Sequence, residues 1–480
     1  MYKRQRYSLR RLREEIRDER DRGAVFSRSA SRLWGNVRNV FNAIARGDRA
    51  LGLPAYNGGL FEDDRLEVLA RTQIPDSILA PALDALSRRS DDVLRPWINY
   101  RDLSVQHLGS IYERLLEYRL ESADGQLVAR PTSFTRRSTG SFYTHEDLVK
   151  LIIDEAVGPL INERMAAFES RLTTLSRKRG LKAQDWDGLD ALDPAKAMLD
   201  LRICDPAMGS GHFLVTLVDV LADHVLEAVA IAADAVYSRP WGRTKSPPWS
   251  SPIVARITTI RDRILSAGRA QGWAIGTNQL DDRHIVRRMI LKRVIHGVDK
   301  NPMAVELAKV ALWLHTFTVG APLSVLDHHL RCGDALHGER LESVRADLIR
   351  IGVLFQEAEL DRLKDASEAI GEIAELTDVD VAEAHHSRDL LHKIERDLYP
   401  LNRLQDFWRA MRWRIAGWPS VRRLTDEGIA ELLSGRYNLV SLIATGSIPD
   451  RPADGAVESA NALIKEARAL ACLLYTSRCV

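Results

Sequence analysis

The sequence predicts an α/β fold, a parallel sheet with crossover helices flanked by helical N-terminal and C-terminal regions. Three observations carry this expectation. A short apolar run, Leu201-Arg202-Ile203-Cys204, feeds a glycine-rich turn and then a long helical pattern. Two later apolar runs, Val294–Val298 and Leu330-Arg331-Cys332, each run up to an aspartate, and the first leads into another helix. On either side of this region the apolar spacing has the helical period.

Length and composition set the frame. The chain has 480 residues, enough for about three domains at roughly 150 residues each. A hydrophobic share of 45% and a charged share of 28% fit a globular protein. No stretch approaches the roughly 18 uninterrupted apolar residues of a membrane helix, so no membrane association is expected. The basic N-terminus MYKRQRYSLRRLREEI has no apolar segment behind it and is not a secretory signal. Cys204, Cys332, Cys472 and Cys479 follow no metal or disulfide spacing, which points to a reducing, cytoplasmic home.

Residues 1–135 read as a helical N-terminal region. Tyr56–Phe61 (YNGGLF) belongs to a turn cluster, and Leu108–Leu120 places Leu108, Ile111, Leu115 and Tyr118 at helical spacing. A break rich in Arg, Ser and Thr around Thr132–Gly140 opens the α/β region, taken as 136–337. Its first helix is expected at Glu146–Val157. The run from Leu201 gives the first strand, followed by a helix from about Gly211 to Val236. The Pro/Ser/Trp-rich stretch Ser238–Pro252 is expected to hold no regular element, and 238–290 reads as an insertion that leaves the core sheet. The strand Val294–Val298 leads into helix Pro302–Phe317, and the third strand ends at Gly333-Asp334.

Residues 338–471 read as a helical insertion, acidic from Glu357 to Glu383. Between 402 and 423, Arg403, Arg409, Arg412, Arg414, Arg422 and Arg423 alternate with Trp408, Trp413 and Trp418. That mixture suits phosphate contact with base stacking, or else a solvated helix face with tryptophans packed beneath it. After the helix Asn461–Ala471 the pattern breaks off.

The string Asp205-Pro206-Ala207-Met208-Gly209-Ser210-Gly211-His212-Phe213 carries the chemistry. It follows a strand and opens a helix, the setting a nucleotide-type loop needs. Gly209 and Gly211 allow a sharp turn and close approach of a ligand. The helix start offers unpaired N–H groups, and Asp205 can bind a ligand ammonium. Ninety-four positions later, Asp299 ends the next strand within Gly297–Pro302. An acid there binds ribose hydroxyls in doubly wound folds, typically about 20 residues after the turn. The insertion 238–290 accounts for the excess. Asp334 ends the third strand, so three acids converge on one crevice at the sheet edge.

These strings resemble a known family. DPAMGSGHF (Asp205–Phe213), GVDKNPMAVELAKVALWL (Gly297–Leu314) and HHLRCGDAL (His328–Leu336) resemble the successive cofactor motifs of adenine-specific (N6) DNA methyltransferases. They are most similar to those of the large combined restriction-and-modification enzymes (type II G-like) and of phage-exclusion methylases. Gly140–Thr144 resembles the loop that closes over the cofactor in that family, which usually has Pro where His145 stands. Tyr56–Phe61 and Leu108–Tyr118 resemble the helical region preceding its core. The resemblance spans roughly residues 50–340.

The resemblance implies a Rossmann-like core, only partly present in the chain, that binds S-adenosyl-L-methionine. Asp205, Pro206, Ala207, Met208, Gly209, Ser210, Gly211 and Phe213 would form the turn that holds its amino-acid portion. Phe142, Tyr143 and Thr144 would be its lid, Asp299 the acceptor for the ribose hydroxyls, and Asp334 the acceptor for the adenine amine. Double-stranded DNA is the implied partner, and a nuclease domain or subunit of the same system is a further one.

Family members methylate through an (Asn/Asp/Ser)-Pro-Pro-aromatic loop that holds a flipped base. The one Pro-Pro pair, in Ser246-Pro247-Pro248-Trp249, precedes the second and third motifs and follows no apolar strand, so it reads as an insertion turn. No catalytic residue is assigned, and the loop is expected beyond Val480. Met1–Gln5 and Cys472–Val480 read as translated adapter sequence, which agrees with a truncated, inactive piece. Other amino-methyltransferases, acting on cytosine, RNA or protein, and a noncatalytic DNA-binding module are the rival readings.

Overall fold

The computed structural model describes residues 9–48, 71–89, 94–100, 118–123, 126–131, 144–270, 280–318, 325–333, 335, 341–350, 357–377 and 381–415. Near the N-terminus, α1 (Leu9–Asp21), α2 (Arg32–Arg46) and α3 (Asp76–Ser87) enclose Leu12, Ile16, Leu33, Trp34, Val37 and Ala80. The start of α2 receives no cap from Ser31. The Leu33 N–H donates instead to Asp76 at the head of α3 (2.9 Å), so one helix caps another.

The helical reading of the N-terminal region does not extend past Tyr118. Strands β1 (Tyr118–Ala123) and β2 (Gln126–Pro131) form an antiparallel hairpin, in register from Tyr118↔Pro131 to Ala123↔Gln126. Residues 118–120, read as the end of a helix, are therefore extended. The physical reason was in the sequence: Asp124-Gly125 is the dipeptide a tight hairpin turn favours. Residues 56–61 and 108–117 lie outside the described residues.

Helix α4 (Glu146–Leu175) runs well past its expected end at Val157. Its buried stripe continues from Val149, Ile153, Val157 and Ile161 to Phe168, Leu172 and Leu175. The short helices α5 (Ala183–Ala191) and α6 (Pro194–Leu199) then lead into β3 (Ile203–Asp205). Next come α7 (His212–Tyr237), α8 (Pro240–Arg243), α9 (Pro252–Ala270), α10 (Asp282–Arg293), β4 (Ile295–Asp299), α11 (Pro302–His315) and β5 (Leu330–Cys332). The three strands form a parallel sheet in the order β3-β4-β5, compatible with an α/β fold in a mostly helical chain.

One expectation for 238–290 needs correction. Pro240–Arg243 forms a helical turn inside the stretch read as irregular, because proline is well suited to a first helical turn. The described part of the segment lies outside the sheet and packs on the main core. Ile253, Ile257, Ile260, Ile264, Ile285 and Met289 are buried in the main cluster with Leu214, Leu221 and Ile295. Their i, i+3, i+4 spacing gives α9 and α10 an apolar face that has to be covered.

After β5 come α12 (Leu341–Arg350), α13 (Glu357–Glu375) and α14 (Val381–Ile415). Arg293 pairs with Glu375 (2.7 Å), the Lys292 ammonium donates to the Leu376 carbonyl (2.6 Å), and Arg331 pairs with Glu395 (3.1 Å). Cations thus meet the C-terminal end of α13, where its dipole is negative. In the basic–aromatic stretch, Phe407, Trp408 and Arg409 are all buried, and the Trp408 indole N–H donates to Asp347 (3.3 Å). The Phe407 and Trp408 rings are packing and are not free to stack on bases, while Arg412 is exposed. Among the described residues no helix is long and apolar enough to cross a membrane.

Candidate functional site

Asp205 closes β3 level with Gly297, and Asp299 closes β4 level with Cys332. The turn after β3 leans across the end of β4. The Met208 N–H donates to the Val298 carbonyl (3.0 Å), and the Gly209 N–H donates to Asp299 Oδ2 (2.9 Å). The other oxygen of Asp299 accepts from the Asn301 N–H (2.8 Å). Asp205 accepts from the Ala207 N–H (2.9 Å). Two carboxylates at adjacent strand ends therefore fold this turn through its own amides.

Glycine is required here for two different reasons. Gly209 has φ +56° with open space where a Cβ would point, so only its backbone conformation demands glycine. Gly211 has φ +85°, and a Cβ there would meet the Ala308 Cβ at 3.1 Å and its Cα at 3.2 Å. Gly211 caps α7 with no side-chain hydrogen bond, so the helix's first amides lack the usual cap.

Helix α4 begins beside α7. Burial lowers the His212 pKa, and the Glu146 carboxylate nearby opposes that shift. His145 caps α4, its Nδ1 accepting from the Asp147 N–H (3.3 Å). Its φ of −59° is a value that a proline ring would also adopt. Half-buried Thr144 therefore enters at the head of α4, near the start of α7.

Electrostatics single out Asp205. Burial, and then the nearby Asp299 carboxylate, hold its carboxyl above the usual range, against the Ala207 N–H. Cys332 is pushed up to about 11 by burial and by Asp299, so it is a thiol with little nucleophilic character. Among the described residues no group of His, Cys, Asp and Glu could hold a metal ion.

Of the residues singled out by sequence, Asp205–Gly211 and Asp299 come together, and Thr144 stands just before α4, whose Glu146 lies near His212. The Met208 side chain is buried beneath Gly297, and Phe213 packs against the main core, so both shape the turn from its inner side. Pro206 and Ala207 are exposed, and Ser210 is half-buried. Phe142, Tyr143 and Asp334 lie outside the described residues.

Sequence reading missed Asn301, whose N–H holds Asp299 and whose side chain caps α11 by accepting from Met303 (3.0 Å). It also missed Ala308, the small residue opposite Gly211. The row Ala304, Ala308, Ala311 on one helix is the signal that could have found it.

The Ser246–Trp249 string is a packing element. Trp249 is buried, stacked on Phe168 with ring centroids 5.7 Å apart, and its indole N–H donates to Asp190 (2.7 Å).

No family model matches the chain, and no solved structure matches it. A protein of Methanocaldococcus jannaschii, named as a presumptive type II restriction enzyme and methyltransferase, is 22% identical over 316 residues. The match covers 60% of this chain, and the chain spans about a fifth (21%) of that protein's length.

Proposed function

We propose that the chain carries the cofactor-binding part of a methyltransferase from a restriction–modification system. S-adenosyl-L-methionine is the methyl donor in this reading, and the exocyclic amine of adenine in double-stranded DNA is the acceptor. The observation that carries it is the Asp205–Gly211 turn, laid across the end of β4 with two carboxylates beneath it. Three successive parallel strands lying side by side also match one half of a doubly wound sheet. The archaeal relative's name supplies the restriction–modification setting.

The residues fit the cofactor. Asp205 is held above its usual range beside a second carboxylate, and a ligand ammonium would relieve both. The uncapped start of α7 suits the cofactor's carboxylate. Open space above Gly209 admits the ligand backbone. When bound, the cofactor supplies an activated methyl group. The chain's own part is to hold the amino-acid end at Asp205–Gly211 and the ribose at Asp299. Phe142, Tyr143 and Thr144 complete the reading as a lid, and Asp334 as acceptor for the adenine amine.

Nothing assigned here would hold a flipped adenine, because the one Pro-Pro-aromatic string buries its ring in a core. The chain alone is therefore proposed not to transfer methyl groups. DNA as substrate, a nuclease of the same system as partner and a cytoplasmic location belong to this reading as well. The test is tritium transfer from labelled cofactor to mixed-sequence duplex by a form extended to include an Asn/Asp-Pro-Pro-aromatic loop. Nucleoside digestion should place the label on N6 of adenine. Label on cytosine would refute the adenine assignment.

A further inference from the structure

We propose that Asp299 is a positioning residue: it sets the shape of the Asp205–Gly211 turn and acts on ligand affinity through that turn. The proposal rests on the reading of this site as the cofactor site.

The geometry separates this role from simple ligand contact. Both oxygens of Asp299 are already bonded to backbone N–H groups, Oδ2 to Gly209 (2.9 Å) and Oδ1 to Asn301 (2.8 Å). Those donors sit on different elements, one in the turn after β3 and one at the head of α11. Asp299 therefore ties the turn to the start of the next crossover helix. A carboxylate can accept about four hydrogen bonds, so acceptor capacity for ribose hydroxyls remains while both bonds stay in place.

Other contacts place the turn's two ends, which the Gly211 N–H joins by donating to the Met208 carbonyl (2.8 Å), and Asp299 holds the amide between them. The Met208 amide is held by the Val298 carbonyl, and Gly211 is set by its fit against Ala308. Asp205 reaches only as far as the Ala207 amide. Gly209, at φ +56° with no atom within 4 Å of a would-be Cβ, has no side-chain packing to fix it. Its N–H is held by Asp299 (2.9 Å). Loss of the carboxylate would free the peptide that faces the ligand, even for a ligand lacking the hydroxyls Asp299 is expected to bind.

Asp299→Asn keeps the size but offers one acceptor oxygen, so one amide must face an NH2 group. Asp299→Glu keeps the charge and displaces it by a methylene, and it serves if the Asn variant does not fold. Deuterium exchange of the peptide spanning Asp205–Gly211, in ligand-free protein, reads the turn directly. Exchange should quicken by about tenfold or more, as expected for loss of a bond to a charged group. Unchanged exchange would overturn the proposal. Titration with S-adenosylhomocysteine and its 2′,3′-dideoxy analogue reads the effect on ligand. Weakening of both ligands by similar factors supports positioning, and weakening confined to the ribose-bearing ligand overturns it. If the wild-type chain binds neither ligand, the cofactor reading falls, and the exchange arm alone decides whether Asp299 holds the turn.

Discussion

Gly297 in β4 is the seat of Met208: a Cβ at Gly297 would overlap the Met208 sulfur and lie 2.9 Å from the Leu214 Cδ1. The turn after one strand is thus fitted to a missing side chain in the next. Gly297→Ala is expected to lower stability by about 1–3 kcal/mol through overpacking. It should also loosen the turn, since Met208 has to leave its place. Urea unfolding checks the first effect, and deuterium exchange over residues 205–211 checks the second.

Gly211→Ala should cost more than Gly297→Ala, because its clash is with a helix backbone and its φ is left-handed. Ala308→Gly in the same chain should relieve the contact with the Ala308 Cβ and leave that with its Cα at 3.2 Å, together with about 1–2 kcal/mol of backbone strain. A double-mutant cycle by urea unfolding measures this. Additive losses would mean that Gly211 and Ala308 do not meet.

Trp249→Ala is predicted to destabilise the fold by about 3–5 kcal/mol, the range for a buried aromatic ring. It should leave affinity for the cofactor unchanged in chains that still fold. Ser246→Ala should alter neither. Stability is read by thermal melting and affinity by calorimetry.

A histidine cluster sets the acid sensitivity. His329 is fully buried between His296 and His328, with ring centroids 4.5 and 4.1 Å away, and its Nδ1 lies 2.7 Å from the Ile295 carbonyl. Burial drives His329 well below its usual pKa and His328 to about 3, and His296 is lowered too. The fold therefore favours the neutral rings, and their contribution is fully present above the unfolded value of about 6.5. It is lost as pH falls from there towards the folded values, at most about 1.4 kcal/mol per pH unit for each proton that only the unfolded chain binds. The lowered carboxylates Asp84, Asp219 and Glu375 lose their contribution only near pH 4 and below. Asp193 and Asp205, both raised by burial, act in the opposite sense. Urea midpoints should fall from pH 7.5 to 5, and His329→Gln should flatten that dependence.

The strand–turn–helix at 203–237 and the strand–helix at 295–315 were legible because each is local, with an apolar run, a glycine or proline and then helical spacing. The hairpin 118–131 was missed because Leu115 and Tyr118 continue a helical period across the boundary. The core role of 252–293 was missed for a different reason: the Pro-rich stretch before it signals an excursion, and the burial of Ile253, Ile257 and Ile260 depends on distant partners. At the site, the acids and glycines were legible as residue types. That Asp299 spends both oxygens on backbone amides was not, since spacing alone does not say which donor a carboxylate meets.

The central claim is that the Asp205–Gly211 turn with Asp299 binds S-adenosyl-L-methionine, and calorimetric titration of the chain with that cofactor tests it most directly. A saturable one-to-one isotherm is predicted, and Asp205→Ala should weaken it by about tenfold or more, the loss of a charged partner. Absence of binding by the wild-type chain, or equal affinity for wild type and Asp205→Ala, would contradict the account.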